Sequence, residues 1–145
     1  MPEDLMRVII LGCGRLGAHL ARRLDREGND VVVIDRNAEA FSRLGSEFRG
    51  RMVFGTGIDE DILRRAGIEN ADAFIAVTNG DNTNAMASEI AKLVFRVPRV
   101  VARLYDPVRE DTFQTLGLME TVCPTIIGSD KIHELVTGNG ASKSN

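Results

Sequence analysis

Met6-Arg7-Val8-Ile9-Ile10-Leu11-Gly12-Cys13-Gly14-Arg15-Leu16-Gly17, carried on to Val31-Val32-Val33-Ile34-Asp35, decides the fold. Val8 to Leu11 is an unbroken apolar run, which reads as a strand covered on both faces. It ends on the Gly12–Gly17 loop, and an amphipathic stretch, Leu16 to Leu24, begins at once. A second apolar run, Val31 to Ile34, then stops on Asp35. Strand, glycine turn, helix, strand and acid, in that order, make a dinucleotide-binding βαβ unit.

Each residue type there has a physical task. Gly12 permits a tight turn off the strand. Gly14 removes a Cβ where backbone approaches a pyrophosphate, and Gly17 lets the helix pack close to the sheet. The first-turn amides, with about half a positive charge from the aligned peptides, favour a phosphate. Asp35 sits at the spacing of a carboxylate that accepts two ribose hydroxyls. An ordinary β–α turn would leave an acid at the end of a buried strand unexplained.

The totals fix the class. At 145 residues the chain makes one domain with a real core, and 43% apolar with 27% charged residues is a globular composition. A net charge of −3 gives no pull toward nucleic acid or an acidic membrane surface. The acidic start, Met1-Pro2-Glu3-Asp4, and the lack of an apolar run near the ~20 residues of a spanning helix lead us to expect a cytoplasmic protein. Cys13 and Cys123 make no disulfide framework and no CxxC pair.

The rest of the chain alternates. Asn37 caps a helix, Ala38 to Leu44. Arg51 to Phe54 is a third strand, and Asp59 caps a helix, Glu60 to Ala66, closed by Gly67. Asp72 to Thr78 is a fourth strand, followed by a helix over residues 83–95 that Val97-Pro98 stops. Val100 to Leu104, a helix over 108–116, Glu120 to Cys123 and a last helix over about 126–136 complete the pattern. Residues 1–136 therefore form the domain, and the polar tail, 137–145, is expected to be disordered. Six strands in two βαβαβ halves predict an α/β doubly wound Rossmann fold, a parallel sheet of order 3-2-1-4-5-6. Gly12 to Gly17, Asp35, Gly55-Thr56-Gly57 and Thr78 to Asp81 then share one rim, where the strand order reverses.

With these segments read, a resemblance becomes specific. The glycine loop, Val33-Ile34-Asp35-Arg36, Ala66-Gly67-Ile68-Glu69-Asn70-Ala71-Asp72 and Asp81-Asn82-Thr83-Asn84 resemble the KTN domain, the RCK N-terminal or TrkA-N module of potassium transporter and channel regulators. Val100 to Pro107 and Leu116-Gly117 resemble its second half. The resemblance implies a non-catalytic, ligand-sensing subunit that binds NAD(H) or ATP, ADP or AMP. It further implies a homodimer or larger ring, peripheral at the inner membrane face, on a membrane potassium transporter or channel subunit. By position, Gly12, Cys13, Gly14, Arg15, Leu16 and Gly17 would cradle phosphates. Asp35 would hold the adenosine ribose with Arg36 beside the adenine, and residues 55–58 would frame its edge. Thr78 and Asn79 would lie under the distal phosphate or second ribose, and Arg103 would reach the phosphates or a partner subunit. The chain departs from the family in having Gly55-Thr56 where Gly-Asp is frequent, and Gly117-Leu118-Met119-Glu120 where Gly-Ala-Asp is frequent. Members commonly continue into a C-terminal RCK domain.

Rival readings are weaker. Arg15 suits a polyphosphate but is also readable as a solvated loop arginine. Arg36 hints at a 2′-phosphate, which the Asp35 carboxylate would repel. A small NAD-dependent oxidoreductase is the enzyme alternative, but His19, Tyr105 and His133 are isolated and poorly placed for acid–base work. No His/Cys/Asp cluster has ligand spacing, so a metal is expected only as magnesium bridging nucleotide phosphates. Met86, Ile90, Leu93, Val94, Phe113, Leu116, Leu118 and Met119 exceed what one side of a sheet needs, and are core or dimer-patch candidates.

Overall fold

The computed structural model describes residues 5–117 and 119–138. Six parallel strands form one sheet: β1 Arg7–Leu11, β2 Asp30–Asp35, β3 Arg51–Phe54, β4 Ala73–Ala76, β5 Arg99–Arg103 and β6 Glu120–Val122. Their order is β3-β2-β1-β4-β5-β6. Ile10 lies between Val33 of β2 and Ile75 of β4, so the reversal falls beside β1.

The β1 and β2 runs are continuous because both their faces are covered. Val8, Ile10, Val31 and Val33 meet Ala18 and Ala21 of α1 (Arg15–Arg26), with Ala40 and Leu44 of the next turn. Ile9, Leu11, Val32 and Ile34 meet the other layer, which includes Leu63 of α2 (Glu60–Arg65) and Ala87 of α3 (Asp81–Glu89). Burying each such branched side chain stabilises the fold by about 1.5–3 kcal/mol. Right-handed crossovers require this division of helices between the faces.

Several expected boundaries shift for local reasons. Ala38–Leu44 is a 3-10 helix rather than an α-helix, with Asn37 accepting from the Glu39 N–H and Gly45 ending it. β4 is shorter than Asp72–Thr78, because Asp72 turns its carboxylate to the Arg7 N–H. The helix after it begins at Asp81, earlier than residue 83, and runs into a π-turn, Ile90–Val94. Arg96 then takes φ 56° as the chain turns toward Pro98. Helix α4 (Pro107–Leu116) starts on its proline, capped by Asp106. β6 ends at Val122, since Cys123 already caps α5 (Pro124–Thr137). The expected tail is thus helical at Thr137, and residues 139–145 lie outside the described residues.

The candidate patch residues divide. Met119 is buried, Ile90 and Phe113 pack against the core, and Met86, Leu93, Val94 and Leu116 are exposed. Leu118 lies outside the described residues. α5 buries no residue at all, and its Ile127, Ile132, Leu135 and Val136 are exposed.

Candidate functional site

At the carboxyl ends of β1 and β4 a cavity of about 600 Å³ opens. Its walls include Gly12, Cys13, Gly14, Arg15, Leu16, Asp35, Arg36, Gly55, Thr56, Gly57, Thr78, Asn79 and Arg103. Of the residues expected there, Gly17, Ile58 and Asp81 stand back from it.

The three glycines of the loop do different things. Gly12 has φ 112°, and a Cβ on it would lie 2.8 Å from the Thr78 nitrogen, so no other residue fits the turn. A Cβ on Gly17 would lie 1.9 Å from the Gly12 carbonyl oxygen. The helix can approach the strand end only without it. A Cβ on Gly14 would meet nothing within 4 Å. Its missing side chain serves no packing inside the protein and leaves the cavity floor as bare backbone.

That floor favours an anion. The first-turn amides of α1 lack intrahelical acceptors, and Gly14 supplies no side-chain cap and the first turn no acid. By contrast Asn37, Asp59 and Asp106 cap their own helices with side-chain oxygens. The uncapped start of α1 faces the cavity, with Arg15 at its mouth.

Asp35 marks one end. One carboxylate oxygen accepts from the Cys13 N–H at 2.7 Å and the other from the Asn37 N–H at 2.7 Å. These bonds lock the carboxylate against the glycine loop, and each oxygen has lone pairs to spare. Arg43, from the 3-10 helix, donates to the Cys13 carbonyl and joins the wall. Cys13 itself is fully buried, its thiol directed at the Ala40 carbonyl. Burial, reinforced by the Asp35 charge and opposed by Arg43, pushes its pKa up to about 11. It is a neutral filler, not a reactive thiol.

The other end is a side-chain network. Asn84, fully buried at the start of α3, accepts from the Thr78 N–H at 2.9 Å and from its hydroxyl at 2.6 Å. The same amide donates to the carbonyls of Thr78 and Arg103, at 3.0 and 2.8 Å. Asp81 accepts from the Tyr105 and Asp106 N–H groups, which ties the loop after β5 to α3. Arg103 donates to the Thr78 carbonyl at 2.7 Å and to the Tyr105 hydroxyl, over whose ring its guanidinium stacks.

Sequence reasoning left out Arg43, Thr83 and Tyr105 as wall residues and Asn84 as the pin behind Thr78. Thr83 and Asn84 left a trace in the Asp81–Asn84 segment and Tyr105 in Val100 to Pro107, while Arg43 left none. His19 and His133 are exposed and outside the cavity. Among the described residues, no group of three or more His, Cys, Asp or Glu could hold a metal ion. No helix among them is long and apolar enough to cross a membrane.

Residues 8–124 match the TrkA-N domain. The chain is 51% identical over 113 residues to the Trk system potassium uptake protein TrkA of Streptomyces coelicolor, across 78% of this chain and 51% of that protein. It thus spans about half the length of this curated relative. Among solved structures, the GsuK channel bound to NAD superposes with a TM-score of 0.77 at 28% identity, covering 94% of this chain and 24% of that one. GsuK bound to ADP superposes with a TM-score of 0.75 at 28% identity, over 92% of this chain and 34% of that one.

Proposed function

Since this chain belongs to the TrkA-N domain family, we propose that it senses an adenine nucleotide, NAD(H) or ATP, ADP or AMP, and regulates a potassium transport system. The observation that carries this is the cavity floor, where the Cβ-free Gly14 and the uncapped start of α1 face a locked carboxylate, Asp35. A phosphate fits the floor, a ribose diol fits Asp35, and a cavity of about 600 Å³ accommodates more than one phosphate. The relatives support it: a potassium uptake protein shares half its residues with this chain over the aligned region, and the GsuK structures hold NAD and ADP.

In this reading Gly14 and the α1 amides bind the phosphates, Arg15 adds a full charge at the mouth, and Asp35 orients the adenosine. Residues 55–57 border the adenine, with Gly57 packed on Leu11. A magnesium ion would enter only with the phosphates. In this reading binding, and not turnover, is the output, and Tyr105 is engaged by Arg103. The protein sits at the cytoplasmic face of the membrane as a homodimer or larger ring. The exposed Met86, Leu93, Val94 and Leu116 and the bare α5 supply apolar area for that assembly. Two ligands that favour different assembly geometries would switch the transporter, and the switch is limited by their difference in affinity.

Calorimetric titration with NAD⁺, NADH, ATP, ADP and AMP tests the reading. We expect binding of at least one, abolished in Asp35→Ala. An absence of binding to all five overturns it.

A further inference from the structure

The stretch Ala66-Gly67-Ile68-Glu69-Asn70-Ala71-Asp72 takes no part in the nucleotide cavity. Four of its residues, Ala66, Gly67, Asn70 and Ala71, border a second hollow instead, of about 140 Å³, at the amino ends of β1, β2 and β3. Those strands complete the wall with Arg7, Ile9, Asp30, Val32 and Arg51. Pairing puts the five on one face: Arg7 lies beside Asp30 and Arg51 beside Val32, and alternate residues of a strand point the same way. Ile9, Val32, Ala66 and Ala71 are buried, so the inner wall is aliphatic. Arg7, Asp30 and Arg51 are exposed charges around it. Arg51 donates one terminal N–H to the Ala66 carbonyl at 3.2 Å. Among the described residues nothing engages the side chains of Arg7, Asp30 or Asn70. Two guanidinium groups thus border one small hollow with most of their donors unused, against a single carboxylate.

We propose that this hollow binds a small monocarboxylate with a short hydrocarbon body. A cavity of its size holds about six non-hydrogen atoms. The arginine forks match a carboxylate, and the aliphatic wall removes the hydrocarbon from water. Inorganic phosphate fits less well, because it would leave charged oxygens against that wall. A dicarboxylate fits less well too, because Asp30 repels its second charge. The nucleotide cavity lies at the other, carboxyl ends of the strands, so the two sites stand or fall separately.

Amide spectra of the nitrogen-labelled full chain, titrated with sodium butyrate at fixed pH beside sodium chloride at equal ionic strength, test the site. We expect Ile9, Gly67, Asn70 and Ala71 to shift along saturating curves in the millimolar range, with Gly14 and Leu16 unmoved. Arg7→Gln breaks no side-chain hydrogen bond among the described residues and should weaken butyrate about 10-fold. Arg51→Gln should do the same, and Arg51→Lys should cost less. Succinate and phosphate should bind more weakly than butyrate, and Asp30→Asn should narrow the gap for succinate. Shifts that rise without saturating and equally in chloride would overturn the proposal as an ionic effect only. Unchanged butyrate affinity in Arg7→Gln, or phosphate bound as tightly as butyrate, would also overturn it, and each would leave the nucleotide reading untouched.

Discussion

The two ends of the cavity are built by opposite means. The β1–β2 end is backbone and shape: a glycine turn, bare amides and one carboxylate locked by two N–H groups. The β4–β5 end is a mesh of side chains, in which Asn84, Asp81, Arg103 and Tyr105 each hold a neighbouring loop. The sheet shows the same division. β1 is buried from its second residue on and β2 from Val31 to Ile34, while β6 is only half-buried and the helix after it buries none of its own residues. A backbone-built end is fixed by folding, and in the proposed function it would hold what every nucleotide shares. A side-chain-built end can change partners, so it suits discrimination and signalling.

The largest effect should come from the shared end. Asp35→Ala removes the ribose acceptor and frees the Cys13 and Asn37 amides, and should lower affinity for every nucleotide by about 100-fold or more. Calorimetry checks it; a loss confined to one nucleotide would blur the contrast between the ends. Asn84→Leu should strike the other end through stability. It leaves the Thr78 N–H and the Arg103 carbonyl without their partner in a buried setting, for about 2–4 kcal/mol in denaturant unfolding.

A pair of alanine substitutions sharpens the account of the loop. Gly17→Ala forces a Cβ against the Gly12 carbonyl and should cost about 1–3 kcal/mol of stability. Gly14→Ala meets no protein atom and should change stability by less than about 1 kcal/mol, yet put a methyl where the phosphate belongs. Thermal unfolding beside nucleotide titration separates them. If both behave alike, the loop is a packing device and not a cradle.

The smallest effect is a pH dependence. Cys13 holds its proton more tightly folded, at a pKa of about 11, than unfolded, near 9.0. Its contribution is complete below pH 9 and is lost as pH rises through 11, reaching ~1 kcal/mol by pH 10. The difference between wild type and Cys13→Ala in alkaline unfolding isolates it. Rapid alkylation of the native thiol at neutral pH would contradict the burial on which it rests.

What the sequence made legible follows the same line. Gly12, Gly14, Gly17 and Asp35 act through backbone geometry at fixed spacing, so their pattern carries the βαβ unit and one end of the cavity. Strand order follows from alternation and handedness. The Arg103–Tyr105 pair depends on rotamers and on Asp81, far off in the chain, and no local period encodes such a contact. Tyr105 reads as an isolated phenol until the β5 loop brings it beneath Arg103. The turn at Ala38–Leu44 misled through its good cap, because a cap signals the start of a helix but not its pitch.

The most direct test of the central claim is a titration of nitrogen-labelled protein with ADP, following each backbone amide by NMR. The account predicts that Cys13, Gly14, Arg15 and Leu16 shift first and furthest, with Asn37 and Thr78 next. Shifts confined to α5 or to the β3 edge, with the glycine loop unmoved, would contradict it.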